Sequence, residues 1–135
     1  MTNLKWVLAV MLILAAVPAA ADFKEKRFIA VVGPDNVQHV EVIGGDYYFD
    51  PNVIVVKKNV PVELLVKKVE GFTHDIAVKA PEAGIDFAVK LGSEPKSIKF
   101  TPTKAGSYPF ECTKKAPFMA SHKEQGMHGT IEVVE

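Results

Sequence analysis

The sequence has only one cysteine, Cys112, in 135 residues, so no disulfide can form within a single chain. It also lacks an excess of charge of either sign: 16 Lys and Arg stand against 16 Asp and Glu, a formal net charge of zero. That balance argues against a nucleic-acid binder, which needs a strongly basic face to neutralise phosphates. No stretch of the mature chain carries a convincing helical period. Internal repeats and low-complexity linkers are missing as well.

The N-terminus reads as a signal peptide over residues 1–21. One positive charge at Lys5 precedes an apolar run over 6–17, then Pro18 and the small-residue site Ala19-Ala20-Ala21 before Asp22. The apolar run falls short of the about 20 residues that span a bilayer. The chain is therefore expected to be exported, cleaved and left with no permanent membrane span, in the periplasm or another extracytoplasmic compartment. Cleavage leaves residues 22–135, enough for one domain with its own core and too few for two. Without Lys5, 15 positive charges face 16 negative ones, a formal net charge of −1.

The dominant period of that domain is two, punctuated at short intervals by Gly, Pro, Asn and Asp, which describes a run of strands. Candidate strands cover 27–32, 37–43, 47–49, 53–58, 61–69, 74–78, a weaker 86–91, 97–101, 106–112 and 130–134. Together they predict an all-β domain of about eight or nine short strands folded as a two-sheet sandwich. Alternation points Tyr108, Phe110 and Cys112 to one face, and two aromatics aim that face at the core. The thiol is thus expected at the inner end of a strand, partly buried where the sandwich opens into a loop.

An unpaired thiol in an oxidising compartment is a liability unless it is buried, bonded between chains or held by a metal. The neighbourhood favours the metal. His122 and Met127 follow Cys112 closely, and His74 lies upstream at the start of another candidate strand. Two imidazoles and a thiolate, with a soft thioether, make the His2Cys-plus-Met set of electron-transfer copper. Each residue also has an ordinary reading: Cys112 as a small buried hydrophobe, His74 as a strand-end histidine, His122 as an exposed loop residue, Met127 as core filler. His39 reads as an ordinary sheet residue. A thiol hydrolase would need an orienting third group and an oxyanion site, and neither can be named here, so the protein is read as no enzyme.

Several stretches resemble the cupredoxins, the family of plastocyanin, azurin and the soluble domain of oxidase subunit II. They are FDPNVIVVKKNVPVEL at 49–64, the His74-Asp75 pair, FTPTKAGSYPFEC at 100–112 and HKEQGMHGTIEV at 122–133. The resemblance runs from about Tyr47 to the C-terminus. It implies a Greek-key β-sandwich of about eight strands with one copper ion at one end. It also implies His74, Cys112 and His122 as equatorial ligands and Met127 as the weak axial one. Asp75 falls where the family has a polar residue that ties the two ligand loops together.

One departure from the family pattern is plain: nine residues, 113–121, separate Cys112 from His122, where relatives have only a few. The insert carries Ala116, Pro117, Phe118 and Met119, which either pack inward or form an apolar docking patch. It leaves Met119 and His128 as rival donors. A His3Cys set completed by His128 would admit Zn2+ or an open, red- or green-type copper centre.

The function expected is that of a mononuclear copper protein passing one electron at a time by cycling Cu(II) and Cu(I). Its partner would be a redox protein such as a cytochrome or an oxidase, and Lys114, Lys115 and Lys123 would steer an acidic one. The alternative is copper sequestration or delivery with the same ligands, in exchange with a copper-handling protein.

Overall fold

A computed structural model describes residues 23–135, so the expected signal peptide lies outside the described residues. Ten strands follow one another: β1 (Arg27–Ile29), β2 (Gln38–Gly45), β3 (Tyr48–Asp50), β4 (Val53–Lys57), β5 (Val62–Lys68), β6 (Asp75–Ala80), β7 (Ile85–Lys90), β8 (Lys96–Phe100), β9 (Gly106–Glu111) and β10 (His128–Val134). Among the described residues one 3-10 turn, Pro81–Ala83, interrupts them. No helix among the described residues is long and apolar enough to cross a membrane.

The period of two becomes two faces. In β2, Val40 and Val42 are buried while His39 and Glu41 are exposed; in β5, Val62, Leu64 and Val66 point inward. Six strands form one sheet in the order β1-β4-β10-β9-β6-β7, and four form the other in the order β3-β2-β5-β8. Their inner faces share one core, in which the Phe49 and Phe110 rings meet edge to face at 5.2 Å. Three neighbouring pairs, β1 with β4, β2 with β5 and β4 with β10, are parallel. Parallel neighbours cannot be joined by a tight hairpin, so the chain crosses between sheets to pair them.

Every strand overlaps one of the candidate segments, and among the described residues all ten segments carry a strand, against the eight or nine expected. The two shortest, β1 and β3, are three-residue edge pieces: Phe49 anchors β3 in the core, whereas β1 is placed by backbone bonds. All of β1 is exposed, yet it lies parallel to β4, anchored where Asn52 binds the backbone of Lys24 and Lys26. The first candidate strand breaks off after Ile29, and Val32 keeps only an isolated bridge to Gln38.

Antiparallel pairing builds the site. Ala77 of β6 faces Glu111 of β9, and His128 of β10 faces the same residue from the other side. The end of β9 therefore meets the starts of β6 and β10. His74 directly precedes β6, Cys112 directly follows β9, and Met127 directly precedes β10, so three chain-distant residues converge at one end of the sandwich.

Candidate metal centre

Three donor atoms meet there. Nδ1 of His74 is 3.2 Å from Nδ1 of His122, and the Cys112 sulfur is 4.0 Å from the first and 3.6 Å from the second. All three residues are buried, and they form the one His/Cys/Asp/Glu cluster among the described residues with the spacing of a metal site. A triangle with these sides has a circumradius of about 2.1 Å, so one point lies that far from every donor, against about 2.0–2.1 Å for metal–imidazole and about 2.3 Å for metal–thiolate bonds. A metal ion thus fits between the donors with little side-chain movement.

Tyr108, Phe110 and Cys112 are all buried, while Pro109 between them is exposed and Glu111 half-buried, as the alternation of β9 requires. Burial pushes the Cys112 thiol above its ordinary value, the effect of desolvation outweighing the amide N–H groups of Asp75 and Lys114 that favour the thiolate. His122 is shifted the other way: burial first, then the neighbouring His74, hold its imidazole below the usual value. A suppressed proton on an imidazole leaves its lone pair free for a metal at neutral pH.

The long loop is tied down despite its insert. His122 N–H donates to the Lys114 carbonyl at 2.9 Å, and Met127 N–H donates to the His122 carbonyl at 3.0 Å. Ser121 and Glu124 exchange bonds between backbone and side chain, each 3.1 Å, in the reciprocal pattern of a capping box. Gly126, at φ 114, turns the chain where a side chain would be strained. Cys112 N–H then donates to the Met127 carbonyl at 3.1 Å, closing the ring of backbone around the donors.

The rivals separate by direction. Met127 is fully buried, and its methyl group lies against Gly44 of β2, where an added Cβ would stand 3.2 Å from it. His128 begins the outward-facing series of β10 and stacks on Phe23 at 4.7 Å with the ring planes 6° apart. Met119 is half exposed and Phe118 fully exposed, so the insert presents its apolar tip to solvent. His122 opens onto a cleft of about 280 Å3 that Tyr47, Phe72 and Met119 also line, and the Tyr47 ring meets its imidazole edge-on at 5.2 Å. His39 is an exposed sheet residue, its Nε2 2.7 Å from Asp35.

Asp75 ties the loops as expected. Its Oδ1 accepts from Thr113 N–H at 2.6 Å, its other oxygen accepts from the Thr113 hydroxyl, and Lys114 stands 3.9 Å away. Three contributors went unread in the sequence: Thr113, the Ser121/Glu124 pair, and Asp46, whose Oδ1 is 3.0 Å from Nε2 of His74. Ser-x-x-Glu before His122 was the available signal for the second; nothing in the Gly-Gly-Asp turn marks the third.

The fold recurs in solved structures. The metal-binding domain of the Cu(I)-exporting P-type ATPase CopA of Streptococcus pneumoniae, solved with Cu(I), is similar with a TM-score of 0.63 at 19% identity, over 83% of this chain and 99% of that one. Dithionite-reduced auracyanin of Roseiflexus castenholzii is similar with a TM-score of 0.54 at 21% identity, over 72% and 97%. For the periplasmic domain of cytochrome oxidase subunit II of Bradyrhizobium japonicum the values are 0.56 and 16%, over 72% and 83%. No curated protein matches in sequence. The family's cofactor is copper, and the buried donor set described above suits it. With the sequence model of the cupredoxin-like domain matching residues 6–133, the chain belongs to the cupredoxin-like family.

Proposed function

We propose that the protein is an exported one-electron carrier that holds one copper ion through Nδ1 of His74, Sγ of Cys112 and Nδ1 of His122, with Met127 as a weaker fourth donor. The single observation that carries this reading is the preformed donor triangle, buried and already sized for a metal ion. Copper supplies the redox step by alternating between Cu(II) and Cu(I), to which thiolate, imidazole and thioether donors are suited. The chain's own part is to hold the donors still, so that little reorganisation accompanies electron transfer. Its sandwich also keeps water off the thiolate, since Cys112, His74 and Met127 are buried.

His122 marks the exit. Its cleft is bordered by exposed Phe72 and Met119, with exposed Phe118 on the same loop, an apolar rim of the kind that docks a partner. Lys114 and Lys115 add positive charge at that rim, while Lys123 is engaged by Glu111 at 2.6 Å. An acidic face on a cytochrome or oxidase suits this surface. Residues 1–21 serve as the export signal in this reading, and residues 22–135 form the mature domain in the periplasm or an equivalent compartment.

Copper titration tests the centre. Stoichiometric Cu(II) is expected to raise an intense visible thiolate-to-copper band that Cys112→Ala removes; a colourless protein that binds Zn2+ stoichiometrically would sink the reading. A second reading, copper sequestration or delivery, is supported by the enlarged 113–121 loop with its exposed Met119 and by the likeness to a domain of a Cu(I) exporter. Stopped-flow mixing with a reduced cytochrome separates the two, since a carrier is reduced rapidly and a delivery protein slowly or not at all.

A further inference from the structure

Asp46 belongs to the two-residue loop between β2 and β3, closed by the pairing of Gly45 with Tyr48. Its Oδ1 stands 3.0 Å from Nε2 of His74, the ring nitrogen remote from Cys112 and His122. Two further features fix the carboxylate. Phe72 N–H donates to the same oxygen at 3.2 Å, and Gly71, at φ 81, leaves open the space where a side-chain Cβ would overlap the carboxyl group. A loop on the far side of His74 is thus shaped around one acidic side chain.

A carboxylate can only accept, so the proton between Asp46 and His74 is carried on Nε2. A neutral imidazole has one ring proton, which leaves Nδ1 of His74 as a lone pair. That nitrogen lies 3.2 Å from Nδ1 of His122, so His122 is the donor of the pair. The direction of the whole relay, from His122 through His74 to Asp46, follows from the single carboxylate.

We infer that Asp46 is a positioning residue of the metal centre: by accepting Nε2–H it presents Nδ1 of His74 to the metal in the binding tautomer and strengthens that nitrogen as a donor, favouring Cu(II) over Cu(I). The inference rests on His74 being a ligand, as proposed above. It makes His74 the prepared imidazole, whereas His122 must move its proton from Nδ1 to Nε2 when it binds. A carboxylate behind a ligating imidazole acts in both ways, fixing the ring and raising its basicity.

The test is the Cu(II)/Cu(I) midpoint potential of the copper-loaded protein in wild type, Asp46→Asn and Gly71→Ala. Asparagine keeps the volume and an oxygen for both N–H donors but removes the charge; alanine at Gly71 displaces the carboxylate without altering it. Each is expected to lose about ten- to a hundredfold in preference for Cu(II), a rise of about 60–120 mV at about 59 mV per tenfold change. In the metal-free wild type, 15N spectra should place the His74 proton on Nε2. An Nδ1–H tautomer of His74 there, or less than a twofold change in preference in Asp46→Asn, overturns the inference. If Asp46→Asn does not fold, the Gly71→Ala potential and the wild-type 15N spectrum decide. A wild type without the thiolate band defeats the copper site and this inference together; a normal band with unmoved potentials defeats this inference alone.

Discussion

His74 and His122 face each other Nδ1 to Nδ1 at 3.2 Å, with their ring planes 62° apart. Hydrogen-bonded in this way, one ring must donate and the other accept, and an added proton on His122 is opposed by burial and by the partner imidazole. The folded state thus binds protons at His122 less readily than the unfolded chain. Stability from this source is complete above the ordinary histidine value of 6.5 and is lost as pH falls below it toward the depressed folded value. His39 works in the opposite sense, since Asp35 raises its pKa and favours folding at low pH. In a His39→Gln background, urea unfolding of the metal-free protein should show stability falling from pH 7 to pH 5. Adding His122→Asn should flatten that slope, and a slope unchanged by it would refute the assignment.

Copper binding should release a proton from Cys112. Burial holds the thiol protonated at neutral pH, and a metal takes only the thiolate. His122, with its pKa lowered, brings no proton that must leave. Isothermal titration at pH 7.5 in buffers of different ionisation enthalpy should therefore report about one proton per ion, and none for Cys112→Ala. Affinity should also climb as pH rises toward the elevated thiol value. A flat profile would mean that the sulfur is not a ligand.

Asp75 joins the two halves of the centre by accepting both the backbone N–H and the hydroxyl of Thr113. Asp75→Ala strands a partly buried N–H, an expected loss of about 1–3 kcal/mol in the metal-free protein by urea unfolding. Thr113→Val removes only the hydroxyl partner and should cost less. Equal losses would show that the backbone bond carries little of the link.

The sandwich and the candidate donor set were legible in the sequence for different reasons. The sandwich rests on periodic burial, with the inward Tyr108, Phe110 and Cys112 of β9 the clearest case, and the donor set on the side-chain chemistry gathered around that thiol and on the cupredoxin resemblance. What escaped the sequence depends on contacts without a period. The candidate strand at 27–32 shortens to β1, which has no buried residue to mark where it ends and is held by backbone bonds to β4 and the Asn52 anchor. Asp46 reaches His74 across 28 positions, from a turn whose composition says only that the chain reverses. The outward tip at Phe118 and Met119 was also open in the sequence, because an apolar loop reads alike whether it packs in or projects.

Met127 and His128 are adjacent, so the choice between them turns on which side of β10 faces the donors. Met127 shares the inner face with Gly129, Ile131 and Val133, whereas His128 lies outside against Phe23. Met127→Leu nearly conserves volume and should cost less than about 1.5 kcal/mol in stability. Removing the thioether should nonetheless alter the low-temperature paramagnetic resonance of the Cu(II) protein and raise its potential, since a soft axial donor tunes the site. His128→Ala should leave both unchanged and merely free the Phe23 ring. A spectrum that responds to His128→Ala and ignores Met127→Leu would reverse the assignment and require the start of β10 to twist by one residue, turning Met127, Gly129, Ile131 and Val133 out of the core.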